Sequence, residues 1–97
     1  MTDDIRELAR TVTADQALYA TEKFGTDLQW EPMMLAIRLY GAVRAREMAV
    51  LAYEEGAQSQ AEWAGYQMAL ADTEIAALLA DDGLRELLTE ATAPSIS

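Results

Sequence analysis

The chain has 97 residues, 17 acidic and seven basic side chains, a net charge of −10, and neither Cys nor His. The absence of Cys and His excludes imidazole bases, thiolate nucleophiles and the usual zinc and iron–sulfur ligands. The hydrophobic share of 52% is too high for a disordered chain. We therefore expect a folded protein that is not an enzyme and holds no cofactor or metal.

The composition predicts an all-α fold. Nineteen residues are Ala, only two are Pro, and no run alternates Val, Ile or Thr with polar residues. We predict one domain over residues 1–97, a small bundle of four to five helices with two long central helices packed antiparallel.

The first helix is predicted over residues 3–11. The sequence "TADQ" then has the form of a capping box, in which Thr13 caps the next helix and Gln16 reaches back to it. That helix is predicted to end at Phe24 with Gly25 as its C′ residue. The alternative is that the two helices fuse into one bent helix.

Two long helices follow. Pro32 suits a first turn and Gly56 suits an end, which predicts a helix over residues 32–55. A second capping box, Ser59 with Glu62 in "SQAE", opens a helix that runs to about Ala80, where "DDG" breaks it. A short helix is expected over residues 84–91, and "TAPSIS" should fray.

The most unusual stretch is "PMMLAIRLYGAV", residues 32–43, because a helix with this sequence is apolar all round. It is too short for a membrane span, which needs roughly 20 apolar residues. We expect it to be core or a self-association surface, and a docking site for another protein is the alternative. The self-association candidates are Met33, Met34, Ile37, Tyr40, Gly41 and Arg44.

The next helix has apolar residues spaced 4, 3, 4 and 3, which predicts close antiparallel helix packing. These residues are Ala64, Met68, Ala71, Ile75 and Leu78. Gly41 and Gly65 either let two helix backbones approach closely or are simply tolerated.

Charge is distributed unevenly along the chain. Residues 1–53 carry a net charge of −2, and residues 54–97 carry −8. This disfavours nucleic acid and anionic lipid and favours a basic protein surface as partner. The partner-binding candidates are Glu54, Glu55, Glu62, Asp72, Glu74, Asp81 and Asp82. Glu47, Glu54 and Glu62 carry metal-binding oxygens, but we expect a solvated acidic surface there.

Arg38, Arg44 and Arg46 form a cationic cluster. We expect them to pair with Asp72 and Glu74 or with a second copy of the chain, in preference to phosphate. Arg38 lies inside the apolar half of its helix, so it needs a desolvated partner if buried and otherwise extends to water.

Four aromatic residues flank the turn predicted at residues 56–59, and we expect a core cluster at a helix–helix corner in preference to a partner surface. They are Tyr40, Tyr53, Trp63 and Tyr66. "EWAGY" is similar to the WXG motif of small secreted helical-hairpin proteins. In that family the motif lies in the turn, whereas Trp63 lies beyond the predicted turn, so we assign no family.

We expect a non-enzymatic, acidic helical interaction module that forms a homodimer and binds a basic protein. One alternative is an acidic phage-type inhibitor, of the anti-CRISPR or anti-restriction class, that blocks a nucleic-acid groove. Another is a structural subunit of a larger assembly. "MTDDIRELAR" lacks the basic and apolar regions of a signal peptide, and with no Cys we expect a cytoplasmic protein.

Overall fold

The structure is a computed structural model that describes the backbone of residues 2–56 and 58–92 and the side chains of residues 4–56 and 60–90. The described backbone forms five helices and no strand, which confirms the predicted all-α class. The helices are α1 (Thr2–Thr11), α2 (Ala14–Thr26), α3 (Trp30–Glu55), α4 (Gln58–Leu78) and α5 (Asp82–Thr92). The Ser59 side chain of the second predicted capping box and residues 93–97 of "TAPSIS" lie outside the described residues.

The junction between α1 and α2 is fixed by the predicted capping box. The Gln16 N–H donates to Thr13 Oγ1 at 3.2 Å, and the Thr13 N–H donates to Gln16 Oε1 at 2.8 Å. Thr13 has an extended backbone, with φ −109° and ψ 163°. The two helices are therefore separate, and Val12 between them is buried.

The end of α2 differs from the prediction, which placed it at Phe24 with Gly25 as the C′ residue. The helix continues to Thr26, and the chain turns at Leu28, whose φ is 59°. The Leu28 N–H donates to the Gly25 carbonyl at 3.1 Å, and the Gln29 N–H donates to the Phe24 carbonyl at 2.8 Å. This bonding defines a Schellman motif with Leu28 at C′, where Gly is usual.

The helices α3 and α4 form the predicted antiparallel pair, which makes the most extensive contact in the molecule. Pro32 lies in the first turn of α3, and the Gly56 N–H donates to the Ala52 carbonyl at 2.8 Å where α3 ends. Ala49 and Ala64 are buried. Both lie near the connection between these helices, so small side chains let α3 and α4 approach closely there.

The break between α4 and α5 is earlier than predicted. The helix α4 ends at Leu78, not Ala80, and α5 begins at Asp82, not Leu84. Asp81 causes the earlier start, because its Oδ2 accepts a hydrogen bond from the Leu84 N–H at 2.9 Å and so caps the helix. Gly83 consequently lies inside the first turn of α5.

The core lies where α1, α2 and α5 meet the α3–α4 pair. Helix α3 packs against both α4 and α2, α1 packs on α4, and α5 packs on α2 and α3. The predicted α4 seam is confirmed, since four of its five residues are buried and Met68 is half-buried. The largest fully buried side chains are Leu39, Ile75, Leu79, Leu84, Leu88, Val12 and Val43.

Arg46 ties α1 to the α3–α4 pair. Its side chain is only 15% exposed. The guanidinium donates to the Val12 carbonyl at 2.8 Å, to the Ala9 carbonyl and to Asp72 Oδ1 at 3.4 Å. Ala9 lies in the last turn of α1 and Val12 directly follows that helix. Carbonyls at a helix C-terminus lack helical partners, so Arg46 satisfies groups that would otherwise be unpaired.

Replacing Leu28 with Gly should stabilise the protein. A non-glycine residue in the left-handed region costs about 1–2 kcal/mol, and the greater freedom of Gly in the unfolded chain offsets part of that gain. We expect Leu28→Gly to raise the free energy of unfolding by about 0.5–1 kcal/mol, measured by urea denaturation. Gln29→Gly is the control and should lower it, because Gln29 has φ −98°.

Replacing Arg46 with Met should destabilise the protein, because the apolar stem stays while two carbonyls lose a charged donor. We expect a loss of about 2–4 kcal/mol in the free energy of unfolding. Arg38→Met is the matched control on the same helix. Arg38 is 62% exposed and pairs loosely with Glu74, so its loss should be below about 1 kcal/mol. Equal losses in the two variants would show that Arg46 does not hold α1.

Candidate interaction surface

The three cations of α3 are used differently. Arg46 pairs with Asp72, and Arg38 lies 4.0 Å from Glu74, as predicted. Arg44 does not pair with either acid. It lies 2.8 Å from Glu47, one turn along the same helix. Since Arg38 is 62% exposed, its charge stays in water and needs no desolvated partner within one chain.

One side of α3 is left open by its neighbours. A Cβ on Gly25 of α2 would lie 3.3 Å from the Met33 sulfur, so Met33 faces α2, and Arg38 faces α4 through Glu74. These two residues of α3 are separated by about 140° around the helix, at about 100° per residue. We call the arc between them, on the side away from Arg46, the front face.

An apolar seam runs along the front face. Its residues are spaced alternately four and three apart, which keeps them on one stripe of a helix. They are Trp30, Met34, Ile37, Gly41, Arg44, Met48 and Leu51. Every one of them is exposed, at 43–59% for the five large apolar side chains. The self-association candidates Met34, Ile37, Gly41 and Arg44 lie on this seam.

The other two self-association candidates lie beside the seam. Met33 is half-buried and packs against the core, whereas Tyr40 is 38% exposed at the α2 side of the front face. Counting seven residues along each helix from the Gly25–Met33 contact places Leu18 of α2 on the Tyr40 side of α3, because a short connection makes these helices antiparallel. Leu18 is 46% exposed, so it extends the apolar surface onto α2.

The predicted aromatic core is wrong. Tyr40, Tyr53, Trp63 and Tyr66 are all exposed, at 38–63%. Trp63, Tyr66 and Leu70 instead form a second exposed stripe, the α4 stripe, spaced three and four residues apart. Leu70 lies one turn from Glu74, the partner of Arg38. The α4 stripe therefore borders the front face of α3.

Apolar exposure is concentrated on helices α2, α3 and α4. Fourteen large hydrophobic side chains are exposed among residues 4–56 and 60–90, and all of them lie on α2, α3, α4 or the connection between α2 and α3. The described parts of α1 and α5 expose none. For comparison, the largest contiguous patch of exposed apolar surface on a typical monomer is about 300–600 Å², and such a patch is often functional. Ten of the fourteen lie on or beside the front face, which makes it the main candidate interface, and the other four are Tyr19, Leu28, Val50 and Tyr53.

Neither Gly41 nor Gly65 marks a close approach inside the chain. A Cβ added at either position would meet nothing within 4 Å among the described atoms. Gly41 is exposed at the middle of the seam, where it leaves a shallow gap between Ile37 and Arg44. Close helix packing at this glycine would have to come from another molecule.

The predicted partner-binding acids fall into two groups. Asp72, Glu74 and Asp82 are engaged in ion pairs, and Asp81 caps α5. Glu54, Glu55 and Glu62 are exposed around the α3–α4 connection, and none of them makes an ion pair within the described side chains. The described part of the chain brings no three acidic residues into a group that could hold a metal ion.

Comparison with family models, curated proteins and solved structures finds no match for this chain. Even the 26-residue α3 lacks the sustained apolar length of a membrane span, and so do the other described helices.

Proposed function

We propose that the protein is a non-enzymatic helical interaction module that self-associates through the front face of α3. The observation that carries the proposal is the apolar seam, a stripe of coiled-coil spacing that is exposed from Trp30 to Leu51. Such a stripe is normally covered by a second helix, since exposed apolar area is unfavourable in water. The chain's own helices cover the opposite side of α3.

The location of polar groups supports the same proposal. The one charged residue within the seam is Arg44, and Glu47 lies 2.8 Å from it. An ion pair can enter an interface at a lower cost than an isolated charge. Short chains also bury a smaller fraction of their surface than long ones, so a 97-residue protein gains stability by covering this face.

The mass in solution tests self-association. Light scattering after size exclusion should give twice the 10.7 kDa of one chain, and the dimer should persist in high salt because its contacts are apolar. Ile37→Glu should abolish the dimer, since an unpaired buried charge costs about 3–5 kcal/mol, a hundredfold or more in Kd.

Tyr19→Glu is the matched control for Ile37→Glu. Tyr19 is 48% exposed and Ile37 is 43% exposed, but Tyr19 lies about 120° around α2 from Gly25, the residue that faces α3. The control should leave the mass unchanged. A wild-type mass of one chain at every concentration would refute the proposal, and so would equal effects of the two variants.

Binding of a basic protein is the second candidate activity. Glu54 and Glu55 lie at the C-terminus of α3, where the helix dipole makes negative charge unfavourable by about 0.3–1 kcal/mol each. Glu62 lies across the connection on α4, and no described cation neutralises any of the three. A basic partner would relieve this repulsion.

Titration with a polylysine peptide tests this second activity. Replacing Glu54, Glu55 and Glu62 with Gln should weaken binding by more than the matched change of Asp15 to Asn and of Glu22 and Glu86 to Gln. Both variants remove three charges, so net charge alone predicts equal losses. Equal losses would therefore exclude a specific basic site at the α3–α4 connection.

A further inference from the structure

We infer that the front face binds a second copy of the same chain with the two α3 helices antiparallel, so that Ile37 lies against the partner's Met48. This inference rests on the proposed self-association and adds the orientation and the register. The residue numbers of facing seam positions then add to 85, and the two-fold axis passes between Ala42 and Val43.

The exposed apolar area is sufficient for a stable dimer. Ten large side chains on or beside the front face are each about half exposed. Four of them are aromatic residues, which bury about 150–250 Å² each when covered, and the other six are Leu, Ile or Met. Together they present on the order of 1,000 Å², against about 800 Å² per partner in a standard interface. They are Leu18, Trp30, Met34, Ile37, Tyr40, Met48, Leu51, Trp63, Tyr66 and Leu70.

The seam is complementary to itself only in this direction. In the antiparallel register Met34 faces the partner's Leu51, and Ile37 faces the partner's Met48. Gly41 faces the partner's Arg44, so the longest side chain of the seam meets the position that has none. A Cβ at Gly41 would have no neighbour within 4 Å, which leaves room for the arginine stem. Knobs and holes therefore match in these three layers, and Trp30, whose facing position is Glu55, lies at the end of the seam.

A parallel pairing is less complementary. Each residue would then face its own copy, so Gly41 would face Gly41 and leave a hole. Arg44 comes close to its own copy in either direction, about 4.5 Å apart along the axis in the antiparallel register, so this charge does not decide the orientation. The helix dipoles would also be aligned, whereas antiparallel helices place opposite ends together.

Charges beside the seam agree with the antiparallel register. Residues that flank the seam lie next to partner residues on the same flank. Arg38, on the α4 flank, comes next to the partner's Ala45, and Glu47, on the α2 flank, comes next to the partner's Tyr40, so neither meets a like charge. The two-fold axis lies in the interface and is perpendicular to α3. It therefore places the partner's α4 against α4 and the partner's α2 against α2. The α4 stripe is then covered by its own copy.

Engineered cysteines test the orientation, and the absence of natural Cys makes the reaction specific. The full-length double variant Ile37→Cys/Met48→Cys should form a covalent dimer on mild oxidation. The two positions are about 16 Å apart along one helix, too far for a disulfide, whose Cα atoms lie about 4.4–6.8 Å apart. The bond must therefore form between chains.

Each single variant should remain uncrosslinked, because in the antiparallel register Ile37 lies about 16 Å from its own copy along the helix axis, and Met48 likewise. The double variant Met34→Cys/Leu51→Cys provides an independent pair with the same sum and should also cross-link. Glu86→Cys, exposed on α5, is the control and should remain a single chain on a non-reducing gel. Circular dichroism checks that each variant is helical.

The possible outcomes separate the two proposals. A wild-type protein that is a monomer by light scattering refutes self-association and this inference together. A dimer in which the single Ile37→Cys or Met48→Cys variant cross-links as well as the double variant overturns the antiparallel register and leaves self-association standing. A dimer in which neither double variant cross-links also overturns it, since the copies then meet in another way.

Discussion

The fold is organised around a helix, α3, that its own chain covers only in part. Helix α3 is 26 residues long, about 39 Å, and carries apolar side chains all round its first half. It can be kept from water only by packing on every side. Helices α2, α4 and α5 contact it, with α4 and α2 as its main neighbours, so one arc of its circumference stays open.

The open arc and the buried arc are built from different side chains. Towards its neighbours, α3 presents mainly Ala, Leu and Val, which allow close packing within one layer of helices. On the front face it presents the larger side chains Trp30, Met34, Ile37, Met48 and Leu51, of which Trp and Met are enriched at protein interfaces. Mean hydropathy does not reveal this division, because both sides are apolar, but side-chain size does.

Local signals in the sequence were sufficient where the structure depends on neighbouring residues. The Thr13–Gln16 capping box and the end of α3 at Gly56 are determined within a few residues, and the structure confirms both. The end of α2 at Thr26 was missed because its capping bonds place Leu28, a non-glycine residue, in a conformation that the sequence does not favour. The exposure of the four aromatic residues was not predicted, because their spacing does not show which side of the α3–α4 hairpin the other helices leave uncovered. Trp30, Met48 and Leu51 were also missed, although the spacing of four and three extends to them from Met34 and Ile37.

The role of Arg46 could not be predicted from the sequence, since its carbonyl partners are 34 and 37 residues away.

Arg46 also sets the order in which the molecule comes apart. Helix α1 packs on α4 and is held to α3 by hydrogen bonds from that one side chain, so its amides should exchange with solvent through a local opening before the rest of the bundle unfolds. Arg46 lies on the side of α3 opposite the seam. Detachment of α1 would thus leave the front face unchanged, and the protein can lose its first helix transiently without exposing new surface there.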